Sequence, residues 1–65
     1  MNIKIKVVMD NGKISFFDEN VVSYTVNERE LQVVLSKDSE TRVVGFNFNH
    51  IIKYEIVKKQ NSFRD

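Results

Sequence analysis

Residues 31–46 read Leu-Gln-Val-Val-Leu-Ser-Lys-Asp-Ser-Glu-Thr-Arg-Val-Val-Gly-Phe, and the turn at their centre decides the fold. A loop centred on Asp38-Ser39 doubles this stretch into a β-hairpin. It sets Leu35 against Arg42, Val33 against Val44 and Leu31 against Phe46 on one face. The other face then pairs Val34 with Val43, flanked by Gln32–Gly45 and Ser36–Thr41, with Lys37 against Glu40 at the turn. Apolar positions spaced by two, rich in β-branched and aromatic side chains, specify strands. No helical spacing gives a sustained apolar stripe.

The same face extends in both directions. A turn over 27–30, centred on Glu28-Arg29, places Val26 opposite Leu31, Tyr24 opposite Val33 and Val22 opposite Leu35. At the N-terminal end, Asn2 to Met9 alternates Ile3, Ile5, Val7 and Met9 against Asn2, Lys4, Lys6 and Val8. Asn11-Gly12 after it is the strongest short hairpin signal, since both positions of a two-residue loop need positive φ. That loop predicts Met9 opposite Ile14 and Val7 opposite Phe16, with Asp10 against Lys13, and a second strand ending near Phe17. Asp18-Glu19-Asn20 is a polar break. Strands are predicted over 21–26, 31–36, 41–47 and 51–58, the last with Ile52, Tyr54 and Ile56 inward. Phe48-Asn49-His50 forms a three-residue loop that puts Phe46 opposite Ile52, with Asn49 able to take the left-handed conformation. The expectation is one all-β domain over residues 1–59: a single antiparallel meander of five to six short strands, strongly twisted or closing into a small barrel. Residues 60–65 read as a polar tail with one aromatic, Phe63.

A chain of 65 residues buries a small core. Domains of this size bury only about 60% of their unfolded surface and rarely hold more than ~3–5 kcal/mol. Disulfides, metals or self-association usually compensate. Cysteine is absent, which removes disulfides and thiolate metal sites, and there is one histidine. Self-association is therefore expected, with no metal and no cofactor. Ten basic and nine acidic residues give net +1, so there is no global push toward nucleic acid or an anionic membrane. Lys4 and Lys6 interrupt any signal-peptide core, and no apolar run approaches a transmembrane span. The expected location is the cytoplasm. Frequent Lys, Asn and Ile fit an AT-rich coding genome, such as that of a low-GC bacterium or its phage.

A sheet with one buried face should be polar on the other. Here the second face is expected to carry Val8, Phe17, Val21, Val34, Val43 and Val57 among Lys4, Lys6, Ser15, Thr25, Gln32, Lys53 and Glu55. Two readings are open. The sheet curls and these valines reflect β propensity, or the face packs on a second copy or a partner with Phe17 as anchor. The candidate protein-binding and self-association residues are Phe17, Val34, Val43, Val8 and Val57. Gly45 on this face marks a bend or a close approach.

Catalytic chemistry finds little support. His50 has only Asn47 and Asn49 as near polar neighbours, and neither is a nucleophile. Asp18-Glu19 has no second cluster with which to build a pocket. Gly45-Phe46-Asn47-Phe48 resembles the Gly-Phe-Gly-Phe core of cold-shock domains over those few residues, but the second glycine is missing and Phe46 has a core place. No family follows. If the first and last strands were neighbours, Lys4, Lys6, Lys53, Lys58 and Lys59 would lie together, and Lys6 and Lys53 with Phe17 could hold a phosphate backbone and one stacked base. The reading is a non-enzymatic protein-binding module, a homodimeric regulator or inhibitor of the kind mobile elements encode, with no membrane partner. Its alternative is a small barrel binding single-stranded nucleic acid through Lys4, Lys6 and Lys53.

Overall fold

The computed structural model describes residues 2–59; Phe63 and the rest of the tail lie outside the described residues. The strands are β1 (Asn2–Met9), β2 (Ile14–Phe17), β3 (Val21–Val26), β4 (Glu30–Lys37), β5 (Glu40–Asn47) and β6 (Ile51–Lys59), with a 3-10 turn at Phe48–His50 before β6. The fold is all-β and antiparallel, as expected. Its strands form two three-stranded sheets, ordered β2-β1-β6 and β3-β4-β5. Among the described residues no helix is long and apolar enough to cross a membrane.

The two sheets face each other across a small core. Ile3, Ile5 and Val7 of β1 and Leu31 and Val33 of β4 are buried. Met9, Phe17, Tyr24, Leu35, Phe46, Phe48, Ile51 and Ile56 close around them. Each central strand is long and its alternate side chains are apolar, so each sheet supplies one inner stripe.

The β4–β5 hairpin has the expected register in every pair, from Leu31–Phe46 to Lys37–Glu40. Asp38 and Ser39 hold φ of 53° and 70°, the paired left-handed conformation that matches strand twist. β3–β4 keeps Tyr24–Val33 and Val26–Leu31, but a bulge at Val22 pairs Val21 with Leu35. Val21 thus turns inward and Val22 outward, the reverse of expectation.

The β1–β2 hairpin is shifted by one residue. Met9 N–H donates to the Lys13 carbonyl at 2.9 Å, and Gly12 N–H donates to the Met9 carbonyl at 3.0 Å. These bonds enclose a three-residue loop, Asp10 to Gly12, with Gly12 at φ 87°. Ladder partners become Val8–Ile14, Val7–Ser15, Lys6–Phe16 and Ile5–Phe17. A one-residue slip moves every side chain to the opposite face. Phe17 therefore packs inward and Phe16 outward, correcting the placement of Phe17 on the outer face.

The predicted Phe46–Ile52 pairing does not form. Phe48 N–H donates to the Arg29 carbonyl, extending the β4–β5 ladder, and Asp10 N–H donates to the His50 carbonyl, extending β1–β6. Between these bonds the 3-10 turn carries the chain from one sheet to the other, capped by Asn47 Oδ1 accepting from Asn49 N–H at 2.8 Å. Asn20, at φ 66°, lies in the other crossing, between β2 and β3.

Candidate functional site

The five residues expected to form one apolar interface are distributed over three places. Val34 and Val43 are ladder partners on the outer side of β3-β4-β5. Ser23 flanks Val34, and Thr25–Gln32–Gly45 forms the next row, so the apolar centre and polar rim expected there do come together. Val43 is 59% exposed. Val8 and Val57 lie on the outer side of the other sheet, Val57 opposite Lys4 and Val8 opposite Lys53. Phe17 is inside, edge-on to Phe46 with ring centroids 5.9 Å apart.

Gly45 makes room for a side chain. A Cβ there would stand 3.1 Å from Glu30 Oε1, and the other oxygen of that carboxylate accepts from Gln32 Nε2 at 3.0 Å. The glycine thus accommodates a polar pair above the strand.

The four sheet edges differ in how they are protected. β2 is four residues long, and β3 and β6 each meet their neighbour through a bulge. β5 has eight residues and an unbroken register, with no proline, lysine or bulge. Short length, bulges, proline and charged side chains, above all lysine, are the usual guards against edge pairing; of these β5 carries only Glu40 and Arg42, both in its first half. Its Lys37–Glu40 pair flanks a two-residue turn and is therefore of the bonded type. Arg42, Val44 and Phe46 continue that series toward β4, and the Phe48–Arg29 bond ends it. Thr41, Val43, Gly45 and Asn47 consequently aim their backbone groups away from the sheet.

On the outer side of β2-β1-β6 the ladder sets Phe16–Lys6–Glu55 in one row and Ile14–Val8–Lys53 in the next. Lys4 and Lys59 follow on the same side, opposite Val57 and Asn2 respectively. β1 and β6 are neighbours, so the candidate lysines Lys4, Lys6 and Lys53 do share a surface. Lys58 points to the other side, its Nζ 5.6 Å from the centre of the Tyr24 ring. Sequence reasoning missed Phe16 and Ile14, both more than half exposed. Reading Asp10-Asn11-Gly12 as a three-residue loop with glycine third would have found them.

His50 Nδ1 and Asp10 Oδ2 are 3.1 Å apart, both exposed, joining the two turns at one end. A half-open recess of about 380 Å³ sits at the other end. Glu19, Asp38 and Glu40 line it with Lys37 and Arg42 around Leu35. No nucleophile and base are paired in that lining. Among the described residues no three His, Cys, Asp or Glu side chains converge as a metal site. The chain matches no protein-family model, no curated protein and no solved structure.

Proposed function

We propose that this protein is a non-enzymatic binding module that works as a homodimer, its two copies joined through β5. The observation that carries this reading is the long, unbulged eight-residue edge of β5, charged only at Glu40 and Arg42, beside a core of five buried side chains among the described residues. A two-fold pairing centred on Val44 matches all four outward residues. Thr41 then meets Asn47 of the partner subunit, and Val43 meets Gly45 of the partner subunit. Each chain offers four N–H and four C=O groups, so eight hydrogen bonds form. On the outer face Val43 sits beside the partner's Gly45, at the margin of the Glu30–Gln32 pair, and on the inner face Arg42 lies against the partner's Phe46.

Eight bonds at about 1 kcal/mol each are of the same order as the ~4–15 kcal/mol cost of association. The valine contacts must supply the surplus, and the dimer is concentration-dependent. A module of this kind has the role of a small regulator or inhibitor, occupying another molecule's surface instead of transforming a substrate in a cleft.

The test is absolute mass by light scattering after size exclusion, over a concentration series. Val43→Pro removes an N–H that faces away from β4, and Val43→Lys places two like charges near the two-fold axis. The parent should approach twice the 7.7 kDa chain mass, and both variants should stay monomeric with unchanged circular dichroism. A parent monomeric at every concentration overturns the proposal. So does a dimer that survives in a folded form of both variants.

A further inference from the structure

We infer that the outer face of β2-β1-β6 is a binding surface for single-stranded nucleic acid, with Phe16 as the stacking platform and Lys4, Lys6, Lys53 and Lys59 as the phosphate contacts. The three strands of this sheet hold five lysines and one glutamate, net +4, in a chain whose total is +1. Everything outside those strands therefore sums to −3. The near-neutral total conceals a molecule with one basic side.

Four of the five lysines lie on the outer face, and among the described residues none of them is in an ion pair. Glu55 is the one acidic side chain in these three strands, so the surface they build is positive. Phe16 stands directly opposite Lys6 in the ladder and is 58% exposed. An aromatic face open to solvent beside unpaired cations suits a flexible polyanion that carries planar bases. Every base offers a π-face, so stacking needs no particular sequence, while the lysines follow the backbone.

The hairpin geometry strengthens the case. A two-residue turn would have buried Ile14 and Phe16, whereas the three-residue loop around Gly12 exposes both and spends Phe17 on the core. Local choices that leave large apolar groups exposed are expected where a surface has a task. The face is built from strand positions. It offers no helix or loop to enter a duplex groove, and no projecting tip to enter a bilayer.

The experiment uses the full chain and fluorescently labelled dT12 and U12, read by anisotropy from 25 to 300 mM salt. The parent should bind both, with log K falling linearly in log salt at about −0.7 per phosphate contacted. Phe16→Ala should weaken binding by about tenfold or more with an unchanged salt slope. Lys6→Gln should instead flatten that slope by about 0.7. Both side chains point outward, and circular dichroism confirms the fold of each variant. Val43→Pro should retain binding per chain, so failure of the dimer and failure of this site are separable. The inference falls if the parent shows no anisotropy change at 25 mM salt. It falls equally if Phe16→Ala binds like the parent, or if the parent sediments with phosphatidylserine vesicles while leaving the oligonucleotides free.

Discussion

Phe17→Ala should cost the domain about 2–3 kcal/mol and Phe16→Ala less than about 1 kcal/mol, although the two are neighbours of identical chemistry. Truncating a fully buried phenylalanine costs ~3–5 kcal/mol. Phe17 is only partly buried, which lowers that figure, but it also loses an edge-to-face partner in Phe46 worth ~0.5–1.5 kcal/mol. Phe16 is 58% exposed on the outer face, opposite Lys6 in the ladder, so its loss falls near the range of ordinary surface substitutions, about ±0.5 kcal/mol. Urea unfolding followed by far-ultraviolet circular dichroism reads the difference, at one protein concentration for all samples. With a slope near 1 kcal/mol per molar urea for a chain this small, the two midpoints should separate by about 2 M. A two-residue Asn11-Gly12 turn would exchange the faces of β2. Equal midpoints, or a lower midpoint for Phe16→Ala, would therefore refute the register and everything argued from it about the outer face.

Two further outcomes follow from the same structure. Gly12 holds φ 87° with open space around it, so Gly12→Ala should cost about 1–2 kcal/mol through backbone strain alone, and Gly12→Asn should cost less; urea midpoints of the two variants check the order. Leu31 is fully buried between the sheets, and Leu31→Ala should cost ~2–5 kcal/mol. Against the ~3–5 kcal/mol a core this small supplies, that removes about half or more of the stability, and the urea midpoint should fall sharply or vanish.

The hairpins were legible wherever the turn admitted one geometry. Asp38-Ser39 does: whether its loop is counted as two residues or four, the register of β4–β5 is unchanged, and each pair falls where the sequence places it. β3–β4 was legible up to Val22, where two adjacent valines offer equal candidates for the inner face and the bulge chooses Val21. Asn11-Gly12 failed because glycine serves equally as the second residue of a two-residue loop or the third of a three-residue loop. Ile-Ser-Phe-Phe then fits either face. The expected return of β6 beside β5 failed for a different reason. Asn47 caps a 3-10 turn, and that turn sends the chain to the other sheet. Of the candidate site residues, Val34 with Val43, and Lys4 and Lys6 with Lys53, were found as groups. Phe16 was concealed by the wrong register, and the open edge of β5 by the absence of any sheet boundary in the sequence.

The pairing of β1 with β6 sets an order of assembly. β3, β4 and β5 follow one another through tight turns, so their sheet closes only short loops. Met9 and Ile51 are partners across about forty intervening residues, and closing that loop costs about 2 kcal/mol more entropy than closing a four-residue turn. The middle of the chain can therefore be ordered while its two ends still diffuse. Until the last strand docks, Ile3, Ile5 and Val7 have β2 on one side and open backbone on the other. The β1–β6 ladder is thus the pairing with the longest loop to close, and a chain interrupted before β6 would expose the β1 edge to any neighbour.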